Sequence, residues 1–268
     1  MKIQVIGVCR FSVLVTNAFR GGPTDMQQRI GHLFAPARLA ERFAWFEHVT
    51  LPSLRAQTDQ DFQFVVLTSE LLPDEWLERL YALVGHLPNF SIAMVPVSSH
   101  AETGRPVFTH RIDHRADVVA QFRIDDDDAL GRDYVARVRA DFIACLQPVL
   151  DLRGMLASNY ANGFIFEANR DHAVLYRTSA RDLSCAQTLY LRPDDPNTLF
   201  NFSHHKLHEA MPTVTFDNSY MYARGRNGSN DSSFRTPRDL KRWDMGALSR
   251  RFGISLPAFQ QALRDLSV

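Results

Sequence analysis

The sequence predicts an α/β protein with a mostly parallel central sheet flanked by helices. Short apolar runs at 3–16, 62–68 and 91–97 have the length and content of buried strands. Between them, apolar residues recur at helical spacing. Strands alternating with helices at this interval build a doubly wound sheet. A further apolar–polar run, Val118 to Ile124, ends in four consecutive carboxylates, Asp125 to Asp128. Open α/β sheets gather ligands at the carboxyl ends of their strands, which makes this run the candidate site.

Taken in order, residues 3–16 read as a strand, or as a strand with a break near Arg10, and Gly21-Gly22-Pro23 reads as a loop. Residues 37–49 carry Leu39, Phe43, Phe46 and Val49 on one helical face. After the strand at 62–68, Pro73-Asp74-Glu75 opens a helix that runs to Pro88, with proline suited to the first turn and acids to the dipole. The stretch 98–117 is polar and reads as a loop. A helix over 133–146 is expected to stop at Pro148. Residues 163–167 and 173–176 read as a hairpin, 222–231 as a flexible polar loop, and 238–266 as an amphipathic helical segment.

Thirty basic and thirty acidic residues cancel, so bulk charge favours neither nucleic acid nor an anionic membrane. Three widely spaced cysteines without a CxxC suit a reducing, cytoplasmic setting and supply no zinc framework. The apolar N-terminus is interrupted by Gln4 and Arg10 and reads as a strand rather than a signal peptide. No run approaches the ~20 apolar residues of a membrane span, although action beside a membrane stays open.

Four adjacent carboxylates repel one another, and burying them requires compensation. A hard divalent cation, Mg²⁺ or Mn²⁺, is the natural partner for such oxygen ligands.

The run Phe122-Arg123-Ile124-Asp125-Asp126-Asp127-Asp128-Ala129-Leu130 resembles the DXD element of GT-A glycosyltransferases. Upstream, Leu51-Pro52-Ser53-Leu54-Arg55-Ala56-Gln57-Thr58 resembles a run that precedes the second strand in such enzymes. With the late Gly225-Arg226-Asn227-Gly228-Ser229, the set is similar to the rhamnosyltransferase family of GT-A fold, over roughly residues 3–235. The resemblance implies a GT-A domain spanning 1–268, with a nucleotide-binding half at 1–150 and an acceptor-side half at 151–268. It implies transfer of a sugar, rhamnose among the options, from a nucleotide-sugar donor to a glycan or lipid-linked acceptor, with inversion.

Under that resemblance Asp127 holds the cation that neutralises the departing diphosphate. Asp125 faces the ribose or sugar or reaches the metal through water, and Asp126 joins it on the nucleotide side. Asp128 braces the loop or the donor sugar. His204, His205 and His208 are candidates for a late metal or phosphate contact, and His204 and His208 would share a face if that segment is helical. Arg224, Arg226 and Asn227 are candidates for the donor diphosphate; relatives often carry histidine where this chain has Arg224. For the base that deprotonates the acceptor, Asp231, Glu209 and Glu167 are open alternatives. Two rival classes also fit an acidic cluster on a sheet: a metal-dependent nucleotidyltransferase, and a non-catalytic carbohydrate- or calcium-binding protein. The first would show a better phosphate loop than Gly21-Gly22-Pro23, and the second an alternating ligand run with a glycine turn.

Overall fold

The computed structural model describes residues 1–16, 25–181, 183–227 and 241–266. Its eleven described strands are β1 Ile3–Arg10, β2 Gln63–Ser69, β3 Phe90–Val95, β4 Val118–Asp125, β5 Ala129–Leu130, β6 Met155–Tyr160, β7 Asn162–Ala168, β8 Ala173–Ser179, β9 Gln187–Leu191, β10 Thr213–Phe216 and β11 Tyr222–Arg226. Seven form one sheet in the order β10-β6-β9-β4-β1-β2-β3, and four form a second in the order β5-β11-β7-β8. In the large sheet β1 runs parallel to both β2 and β4, while β9 runs antiparallel to β4 and β6.

The centre of the large sheet is covered on both faces, so β1 is a nearly continuous apolar run and β4, whose sequence alternates apolar with polar, is buried along most of its length on both faces. Val5, Cys9, Phe122 and Ile124 belong to one buried cluster, and Ile6, Val8 and Val119 to another. The expected hairpin at 163–176 is present as the antiparallel pair β7 and β8.

Three expectations about helices need correction. The helix begun at Pro36 passes through a π-helical turn at Phe46–Thr50 and continues as Leu51–Arg55, with Pro52 in its first turn. Likewise Tyr134–Asp141 continues through Phe142–Leu146 into Gln147–Arg153, so Pro148 opens a segment instead of ending one. A widened turn leaves backbone groups unpaired, so the missing proline N–H costs little there. The polar stretch 98–117 contains the helix His100–Thr109, started by a capping box between Ser99 and Glu102 and carrying Pro106 inside it.

The segment read as a flexible loop from 222 onward begins as a strand. Tyr222 and Ala223 are buried, and β11 lies between β5 and β7. The C-terminal segment is two helices, Gly246–Phe252 and Leu256–Asp265, separated by Gly253 at φ 72°. Gly21-Gly22-Pro23 lies outside the described residues.

Candidate active site

Parallel pairing sets Arg10 opposite Asp125 at the carboxyl ends of β1 and β4. A cleft of about 310 Å³ opens there. Its walls carry the four aspartates Asp125–Asp128, the arginines Arg10, Arg38, Arg42, Arg123 and Arg224, and the imidazoles His204 and His205. The acidic run therefore meets a set of guanidinium groups larger than itself.

The aspartates have different surroundings. Asp126, Asp127 and Asp128 are buried, whereas the Asp125 side chain is 37% exposed. Asp126 accepts a hydrogen bond from Arg42 Nε at 2.8 Å on Oδ2, and Arg42 Nη2 contacts its other oxygen. Asp127 Oδ2 lies 3.3 Å from Arg42 Nη1 and accepts from Asn227 Nδ2 at 2.9 Å. Asp128 Oδ1 accepts from the Gly225 N–H at 2.9 Å. Burial, reinforced by the charges of Asp127 and Asp125, pushes the Asp128 carboxyl well above the usual carboxylate range. Asp125 pairs with Arg10 at 3.5 Å. Burial works against its charge, but Arg10, Arg123, Arg42 and Arg224 together hold its carboxyl below the ordinary value.

The two flanking sequence motifs act on the acidic loop from either side. Thr50 Oγ1 donates to the Asp128 carbonyl at 2.8 Å, and Ser53 Oγ accepts from the Leu130 N–H at 3.2 Å. Gln57 donates to the Gly131 carbonyl at 2.9 Å and accepts from the Val135 N–H at 3.0 Å. The Leu51–Thr58 motif is thus a polar brace beneath the acidic turn. From the other side comes Gly225, where any Cβ would stand 2.0 Å from the Asp127 carbonyl oxygen. Glycine lets the two backbones touch.

Arg123 projects into the same cleft and donates to His204 Nδ1. Burial and the neighbouring Arg10 lower its pKa to about 10, with Asp125 opposing the shift. Burial, Arg123 and His205 push His204 down to about 3, so this imidazole is neutral and accepts. The His204 and His205 ring centroids lie 3.7 Å apart. His208 is exposed and does not line the cleft. His204–Lys206 is a 3₁₀ turn followed by the short helix Leu207–Ala210, so His204 and His208 do not share one helical face.

Arg224 lines the cleft, while Arg226 is paired with Glu167 at 2.7 Å and is not among its walls. Glu209 pairs with Lys206 at 3.3 Å on the exposed surface. Asp231 and the Gly228-Ser229 end of the late motif lie outside the described residues.

Sequence reasoning missed Arg10, Arg38, Arg42 and Arg123 as site residues. The signal for Arg42 was present: Leu39, Arg42, Phe43 and Phe46 fall on one helical face, so a charge there needs a buried partner. Arg10 and Arg123 stand at strand ends beside the acidic run, where they were read only as strand residues.

A mostly parallel sheet whose central strands end in this charged cleft is the arrangement in which open α/β sheets bind ligands. The sequence matches the family described as "Putative rhamnosyl transferase" over residues 4–239, and the chain belongs to that family. No curated protein matches the sequence. Among solved structures it is similar to S. aureus TarS 1-349 in complex with UDP-GlcNAc, at 14% identity and TM-score 0.42, covering 88% of this chain and 62% of that one. It is similar to a longer S. aureus TarS structure at 13% identity and TM-score 0.41, covering 84% of this chain and 37% of that one. A Desulfovibrio desulfuricans G20 protein described as a "putative nucleotide-diphospho-sugar transferase" matches at 10% identity and TM-score 0.37, covering 83% and 80%. The chain thus spans less than two thirds of the TarS chains it resembles.

Proposed function

We propose that the cleft at the ends of β1 and β4 binds the diphosphate of a nucleotide-sugar donor and transfers the sugar, with rhamnose the first candidate, to a hydroxyl of a glycan or lipid-linked acceptor. The observation that carries this reading is the set of arginines around Asp125 at the sheet's carboxyl edge. Guanidinium groups bind phosphate oxygens through paired, charge-assisted hydrogen bonds. In the reaction the acceptor oxygen forms a bond to the anomeric carbon. The bond from that carbon to the β-phosphate oxygen breaks, and its electron pair stays on the phosphate. The acceptor's proton passes to a carboxylate base; Asp231, outside the described residues, is the sequence's candidate, since Glu167 and Glu209 are engaged with Arg226 and Lys206. A single displacement of this kind inverts the anomeric centre.

In this reading residues 1–150 supply most of the donor site, while His204, His205 and Arg224 reach in from the acceptor-side half. The thiols are free, and Cys9 and Cys185 are buried, in keeping with a cytoplasmic enzyme. Among the described residues, no helix is long and apolar enough to cross a membrane.

The divalent cation expected from the acidic run does not fit the residues around it. Arg42 and Asn227 already occupy carboxylate oxygens of Asp126 and Asp127, Asp128 is buried and bound to Gly225, and Asp125 faces Arg10. Among the described residues, no group of three or more His, Cys, Asp or Glu side chains is arranged to hold a metal ion.

The test is a panel of UDP-, dTDP- and GDP-sugars, read by release of the nucleoside diphosphate and by the anomeric configuration of any product. One donor turned over faster than the rest, with inverted product, is expected. No turnover and no binding of any donor would contradict the assignment.

A further inference from the structure

We infer that this cleft holds the donor diphosphate through guanidinium groups alone, with Arg10 and Arg123 standing where a DXD enzyme would use a divalent cation. The inference rests on the donor reading above and sharpens it.

Arg42 supplies the first half of the argument. It is buried, and its guanidinium spans Asp126 and Asp127. A Mg²⁺ or Mn²⁺ ion approaching those oxygens would have to displace a fixed positive charge and also break the Asn227 bond to Asp127. That leaves Asp125 as the carboxylate still turned to the cleft, and Arg10 already faces it. One engaged carboxylate is a poor anchor for an ion that strips its water reluctantly.

Arg123 supplies the second half. It sits across the strand pair from Val8, two residues from the Arg10–Asp125 register, so two guanidiniums share one short stretch of the sheet edge. Its Nε is buried without a hydrogen-bond partner, and its Nη2 donates to the uncharged His204. Two like charges held together around one carboxylate, one of them with a buried N–H unanswered, form a pair that an anion completes. A diphosphate offers several acceptor oxygens across two phosphates, enough to engage both forks. His204 is a positioning residue: it fixes the Arg123 fork and adds no charge.

The experiment is calorimetric titration of the full chain with UDP, dTDP, GDP and inorganic pyrophosphate, each in Mn²⁺ and in EDTA. Wild type, Arg123→Gln, Arg123→Lys and Arg10→Gln are compared, and their melting temperatures confirm folding. The expected result is an affinity that agrees within about threefold between the two buffers. Arg123→Gln should weaken binding by about tenfold or more in both. Arg123→Lys should recover part of that loss by restoring the charge without the fork. A tenfold or larger loss of wild-type affinity in EDTA would overturn the inference while leaving the donor reading intact. Wild-type affinity in folded Arg123→Gln and Arg10→Gln would also overturn it. Binding in neither buffer would overturn the inference and the donor reading together.

Discussion

Arg42 and Asp126 form a buried ion pair, the Nε donating to Oδ2 at 2.8 Å with the Asp126 side chain 1% exposed. The pair is what allows an acidic turn to be buried at all, because the arginine also reaches Asp127. Breaking such a pair from one side leaves a charge in a low-dielectric interior, at a cost of about 3–5 kcal/mol. Arg42→Ala should therefore destabilise the chain by about that amount in urea unfolding. Adding Asp126→Asn to Arg42→Ala should recover much of the loss. A stability change below about 1 kcal/mol in the single variant would show that the pair is solvated.

Asp128 accepts from Gly225, and burial, Asp127 and Asp125 push its carboxyl pKa well above the usual range. Asn has nearly the same shape and no charge. Asp128→Asn should keep the melting temperature within a few degrees and retain most of the activity. Loss of activity in a variant that melts normally would mean that a charged Asp128 takes part in the reaction.

At Gly225 an added Cβ would stand 2.0 Å from the Asp127 carbonyl oxygen, and that atom is backbone. Gly225→Ala should cost about 1–3 kcal/mol and disturb the acidic turn, lowering activity beyond what the stability loss explains. Gly31, in the helix Met26–Leu33, serves as the control, because a Cβ added there would meet nothing within 4 Å. Gly31→Ala should be neutral or stabilise by up to about 1 kcal/mol. Equal effects at the two sites, measured by thermal unfolding, would contradict the close approach.

His204 is neutral in the folded chain, with its pKa pushed down to about 3 by burial, Arg123 and His205. An unfolded histidine titrates near 6.5, so between about pH 6.5 and 3 the unfolded chain binds a proton that the native chain does not. The fold should therefore lose stability as pH falls through this window, with no contribution from His204 above it. His204→Gln should flatten that slope, and ring NMR should show one imidazole that does not titrate between pH 5 and 8. A normal titration midpoint for His204 would remove it as the neutral acceptor for Arg123.

The strands on either side of the site were legible from apolar content in β1 and from apolar–polar alternation in the run Val118 to Ile124, although the latter is buried on both faces. The site's location was legible for the same reason: four acids directly abut that strand. Its charge balance was not, because Arg10, Arg42 and Arg123 come from three elements that only the sheet order brings together. Proline was over-read as a stop at Pro148, where a π-helical turn absorbs it. Strand β11 was hidden because Ala-Arg-Gly-Arg carries little apolar content, and its pairing with β5 and β7 is set by tertiary contacts. The histidine segment was read through helical periodicity, but a 3₁₀ turn breaks that spacing at His204–Lys206.

The most direct test of the account is a crystal structure of the full chain grown with a nucleoside diphosphate in EDTA. The account predicts diphosphate density in the cleft between Arg10 and Arg123, with Arg42 still bound to Asp126 and Asp127. Diphosphate density elsewhere, or a nucleotide seen only when Mn²⁺ replaces Arg42 at those carboxylates, would contradict it.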